Sequence, residues 1–227
     1  MQNKKRICAA LALHVLIVLL VIVAWVMMAT ATAEEGMLEG SGLTNLRFYT
    51  VQSNLLAGLA SLVYALALIP VLRGKTERVA PWVQTLALVG AGAIALTFLT
   101  VVCFLTPLYG ALNMYRSANF FFHLLIPLLC MAGYVLLDCF GQSVRFAALL
   151  GAVPMLLYGT GYTVNCLTNG VGEWPNTNDW YGFLNWGIPI GLVIFAVLAL
   201  ATVGVTALLR RGNRAVCARL AAQVGAR

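Results

Sequence analysis

Thr50 and Asn54 stand four residues apart, and so do Asn119 and His123. In a helix that spacing puts both members of a pair on one face. An arginine precedes each pair, Arg47 and Arg116. A hydroxyl and an imidazole at matching depth are the parts of nucleophilic acyl transfer. The imidazole takes the hydroxyl proton, the oxygen attacks an ester carbonyl, and a polar donor holds the oxyanion. Thr50 then serves as nucleophile and His123 as general base, with Tyr162 and Asp179 completing the constellation. Asp179 is the carboxylate placed to orient the imidazole. The same residues have plainer uses. Threonine in a membrane helix bonds the carbonyl one turn back, and Asn or His joins helices.

The elements that carry these residues are apolar runs at about 7–32, 48–72, 80–105, 118–138, 145–167 and 188–209. The 227-residue chain is 62% hydrophobic and 9% charged, against about 25% charged in soluble domains. About 20 apolar residues cross a bilayer as a helix. The composition therefore predicts an all-α membrane protein, a single domain over 1–227 built as a six-transmembrane-helix bundle. The run "ALVGAGAIAL" in the third helix is a small-residue surface for close packing.

The net charge of +7 is a matter of orientation. With the N-terminus inside, twelve of the fourteen basic residues fall on the inner side, and five of the seven acids fall outside. That asymmetry places both termini in the cytoplasm and the chain, multi-pass, in the cell membrane. It assigns the basic residues to orientation and to anionic membrane lipid, with no nucleic acid as partner. The polar residues of helices two and four then share the outer leaflet. "MQNKKR", an apolar stretch and "ATATAEE" also have the order of a secretory signal cleaved after Ala33. The stretch exceeds the ~7–15 residues of a signal core, which favours an uncleaved first helix.

Six cysteines stand singly, at 8, 103, 130, 139, 166 and 217. Without a Cys-x-x-Cys pair, the spacing predicts no metal site. Cys103 and Cys166 fall near outer helix ends and are read either as a disulfide or as small packing residues. His14 and His123 differ in depth by roughly ten ångström at ~1.5 Å per residue, so no shared haem, and no other cofactor, is expected. Helix two lacks a buried acid, as do the others, with Glu77 and Asp138 at inner ends; this weighs against transport.

"LRFYTVQSNLL", "NFFFHLLIPLL" and "WYGFLNWG" occur in this order. They resemble segments of the androgen-induced protein and androgen-dependent regulator family, and more closely its bacterial six-pass relatives. The resemblance covers helices two to six. It implies an intramembrane hydrolase of fatty acid esters of hydroxy fatty acids, with the family threonine at Thr50 and the family histidine at His123. It implies a loop motif at Tyr181, Phe183 and Leu184, where Gly182 replaces the family's proline. Tyr181, Arg116 and Asn119 become substrate contacts. Arg47 meets a carboxylate or phosphate at the interface, and Asn54 donates to the oxyanion. The competing expectations are a non-catalytic binder or transporter of lipid or a small molecule, and a structural subunit in which the polar stripe joins helices.

Overall fold

A computed structural model describes residues 2–30, 42–173 and 177–225. The proposed cleavage site after Ala33, the acids Glu34, Glu35 and Glu39, and Trp174 lie outside the described residues. Six helices are long and apolar enough to cross a membrane, and the protein is a six-span all-α membrane protein. They are α1 (Gln2–Thr30), α2 (Tyr49–Leu72), α3 (Pro81–Leu105), α4 (Ala118–Leu136), α5 (Ala147–Asn169) and α6 (Ile188–Gly225).

The predicted bounds differ in two places that matter. α1 begins five residues early, because its polar start "QNKK" continues the helix. α6 runs 38 residues, sixteen past the predicted end. Its final part is amphipathic rather than apolar, so hydrophobicity marks where the hydrocarbon ends and not where the helix does.

α3 is the most buried span. Its small residues let neighbours approach. A Cβ on Gly90 would lie 3.1 Å from the Ala60 Cβ of α2, and one on Gly92 would lie 2.1 Å from the Thr206 Oγ1 of α6. Gly151 at the start of α5 meets the same hydroxyl from the other side, at 2.3 Å. Thr206 thus sits in a cleft between two glycines, its hydroxyl turned back to the Thr202 carbonyl at 2.6 Å. Gly58 of α2 gives the same closeness to Val21 of α1.

α3 and α4 each contain a π-turn, at Val101–Leu105 and Phe121–Leu125. A proline follows each by two residues, Pro107 and Pro127. A proline ring pushes away the carbonyl four residues back and offers no N–H. The helix widens instead, and the Ile126 N–H reaches the Phe121 carbonyl. For Pro127 the displaced carbonyl is that of His123. α4 opens on Ser117 at φ 50°, a left-handed conformation costly for a side chain.

The C-terminal end of α4 is where four other helices converge. Its last carbonyls have no partner within the helix, and side chains supply them. Arg6 donates to Leu136 at 2.7 Å, Asn213 to Tyr134 at 2.7 Å, and both Gln84 and Asn213 to Asp138 at 2.8 and 3.0 Å. The Asp138 carboxylate is fully buried and accepts from His14 Nε2 at 3.0 Å. This corrects one expectation: Asp138 is an interior acid. His14, its partner, is also a packed ring against Tyr64. With a buried acid present, the expected lack of one no longer weighs against transport.

The disulfide joins Cys139 to Cys217, and Cys103 and Cys166 are free. Cys166 is buried, with its thiol donating to the Asn178 carbonyl. Cys103 is exposed on the π-turn of α3. Of the two readings of Cys103 and Cys166, the disulfide is excluded and Cys166 is a packed residue; the Cys139–Cys217 pair escaped the sequence because Cys217 lies on the part of α6 that hydropathy does not reveal.

Candidate functional site

Opposite the α4 end, the start of α2, the end of α5 and the loop before α6 enclose two cavities. Tyrosines build the shared wall. The Tyr162 hydroxyl donates to Asp179 Oδ1, and the other carboxylate oxygen accepts the Leu184 N–H at 3.0 Å. The Tyr181 N–H donates to the Tyr162 oxygen at 3.0 Å. Trp180 Nε1 donates to the Tyr158 oxygen at 2.9 Å, and the Tyr158 hydroxyl donates to the Arg47 carbonyl at 2.9 Å. Tyr158 and Tyr162 share a face of α5 at the helical spacing of four, a signal present in "YGTGYTVN", of which Tyr162 alone was expected at the site.

The larger cavity is about 630 Å³, inside the usual range for ligand sites. Val193, Val197, Leu96, Phe104 and Phe183 make most of its surface apolar. Thr50 and Tyr181 lie at its polar corner. The Tyr181 hydroxyl accepts the Tyr49 N–H at 3.1 Å, and Thr50 lines the same cavity. Burial pushes the Tyr181 hydroxyl up to about 12, and its bonds to Tyr49, Tyr158 and Thr50 partly offset this. It stays a neutral donor at physiological pH.

The second cavity, about 410 Å³, is lined by Arg47, Gln52, Ser53 and Gly161, and shares Tyr49, Tyr158 and Trp180 with the first. The Arg47 guanidinium lies over Phe48 and Trp180, 5.0 and 5.6 Å from their ring centres. Its Nε is buried and has no partner among the described residues.

His123 is buried on the π-turn of α4 and lines neither cavity. Its Nδ1 is 2.7 Å from the Met114 carbonyl. A carbonyl only accepts, so Nδ1 carries the proton and Nε2 the lone pair. The expected orienter, Asp179, is committed to Tyr162 and Leu184. A backbone carbonyl takes its place, and no side-chain pattern announces one.

Asn54 ties the two helices together. Its amide donates to the Thr50 carbonyl at 2.8 Å and to the Phe122 carbonyl at 3.1 Å. The peptide of Thr50 and the peptide before His123 thus meet on one side chain. Both amide hydrogens are spent, which corrects the oxyanion role expected of Asn54. Its carbonyl oxygen is the atom left without a partner among the described residues. Asn119 and Arg116 sit at the opening of α4, each with an interaction of its own, and line neither cavity. Among the described residues no group of His, Cys, Asp or Glu is placed to hold a metal.

Comparison with family models, curated proteins and solved structures gave no match to this chain.

Proposed function

We propose that this protein is a membrane-embedded hydrolase of amphiphilic esters, with Thr50 as nucleophile and His123 as general base. The observation that carries the reading is the setting of Thr50: a hydroxyl at the polar corner of an apolar cavity of about 630 Å³, joined through Asn54 to a histidine whose Nε2 is free to accept a proton. In this scheme the acyl chain lies along Val193, Val197 and Phe104. Nε2 of His123 takes the Thr50 proton as Oγ1 bonds to the ester carbon. The Tyr181 hydroxyl donates to the oxyanion, replacing Asn54. The C–O bond to the leaving alcohol then breaks, and that oxygen takes the proton from Nε2. Water hydrolyses the acyl-threonine by the same route. Arg47, in the adjoining cavity, faces the charged end of the amphiphile. In this reading, which the charge asymmetry supports, the basic end of the bundle faces the cytoplasm and the site faces the outer leaflet of the cell membrane.

The test is labelling of the detergent-purified protein with a fluorophosphonate, mapped by peptide mass. An adduct on Thr50, absent in Thr50→Ala and His123→Ala, supports the reading. No adduct on folded wild-type protein, together with no release of fatty acid from a panel of hydroxy-fatty-acid esters, defeats it.

A second reading, non-catalytic binding of a lipid in the same cavity, is favoured by the absence of His123 from a cavity wall that Thr50 and Tyr181 line. It predicts saturable retention of the amphiphile without turnover, unchanged in His123→Ala.

A further inference from the structure

A third cavity, about 530 Å³, opens at the other end of the bundle, between the α2–α3 loop, the segment after α4 and the extension of α6. We propose that it is a binding site for a phosphate group, with Arg78 and Arg214 as its anion contacts. Arg78, Arg210 and Arg214 line it against one acid, Glu77. Among the described residues none of these four belongs to an ion pair.

Arg210 is already used. It donates to Ser143 Oγ at 3.0 Å and to the Val144 and Arg145 carbonyls at 2.7 Å each. That leaves its charge in place while each of its three nitrogens already makes a bond within the protein. Arg214 is one helical turn further on and close enough to repel it. Like charges at this spacing destabilise a helix, and an anion between them removes the repulsion. Arg78 comes from a different element, so the positive charges converge on the cavity instead of running along one solvated face.

The walls are fixed before any ligand arrives. The Cys139–Cys217 disulfide, with its Cα atoms 5.4 Å apart, clamps the segment after α4 to α6 on the cavity's rim. Asn213 holds the same two elements from inside through the Tyr134 and Asp138 carbonyls. A preformed basic pocket where apolar helix gives way to polar helix sits at the depth of lipid phosphates. A lipid headgroup and a free phosphate present the same chemistry there. The inference does not depend on catalysis at Thr50.

The experiment is native mass spectrometry of the full chain titrated with phosphatidylglycerol or phosphatidylcholine, and separately with inorganic phosphate. The expected result is a preference of tenfold or more for phosphatidylglycerol. It is lost in Arg78→Gln/Arg214→Gln and kept in Lys5→Gln/Arg219→Gln, which removes equal charge outside the cavity. If inorganic phosphate binds with the same dependence on Arg78 and Arg214, the site stands and its ligand is a free phosphate. Equal binding of the two lipids with no binding of inorganic phosphate that depends on Arg78 and Arg214, or a preference that survives Arg78→Gln/Arg214→Gln, overturns the proposal.

Discussion

Replacing His14 by leucine isolates the buried ion pair at the end of α4. Asp138 makes its structural bonds through its backbone carbonyl, while its carboxylate has His14 as partner at 3.0 Å and a second oxygen with none among the described residues. His14→Leu therefore strands a buried carboxylate without disturbing the backbone bonds. Removing one member of a buried pair costs about 3–5 kcal/mol. At roughly 2–4 °C per kcal/mol for a chain of this size, Tm should fall by about 6–20 °C at pH 7.5. The loss should depend on pH. Burial raises the Asp138 carboxyl above its ordinary value, and His14 and Arg6 hold it down. Without His14 the rise is greater. A group whose folded pKa is raised contributes stability that is present below its unfolded value, near 4, and lost as pH rises through the folded value. His14→Leu should thus be least stable at neutral and alkaline pH and recover on acidification. Replacing both residues, His14→Leu/Asp138→Leu, should restore most of the loss at every pH, since an apolar pair of similar volume is often neutral. The assay is thermal unfolding in detergent by intrinsic fluorescence, between pH 5 and 8.5. A loss under about 1 kcal/mol, or one equal at pH 5 and 7.5, would refute the reasoning, because a stranded buried charge has neither property.

Gly92→Ala should cost about 1–3 kcal/mol by overpacking against Thr206, and Thr206→Ala in the same chain should recover part of it in a double-mutant cycle. Ser117→Gly should stabilise by roughly 1 kcal/mol by relieving the left-handed backbone at the start of α4; an unchanged Tm would count against strain there. Reducing Cys139–Cys217 should lower stability by about 2–4 kcal/mol. The same pair can be read in place: with the disulfide closed, a membrane-permeant maleimide added to intact cells labels neither cysteine until a reductant is added, and labelling of both without reductant would refute the clamp.

The six spans were legible because hydrocarbon demands an unbroken apolar run and internal backbone bonding. The α6 extension was not, because its stability comes from Asn213, Arg210 and Cys217 meeting partners 65–79 residues away. No local pattern encodes such contacts. Thr50 was placed at a cavity by its position at a helix mouth. The orientation of His123 rests on a carbonyl and a proline-induced π-turn, neither of which a side-chain spacing displays. Asp138 looked like a terminal residue because it closes its own run, and depth along one helix does not reveal that His14 of another lies beside it.

The Thr206 cleft bears on biogenesis. α6 follows the other five spans in chain order, and chains emerge N-terminus first. Its seat is the pair of glycines on α3 and at the start of α5, so those helices must be inserted and adjacent before α6 has anywhere to dock. Until then the seat is an open notch exposing backbone to lipid. Substitutions at Gly92 and Gly151 should therefore lower the yield of assembled protein by leaving a late, quality-controlled intermediate, even where the few molecules that do close function normally.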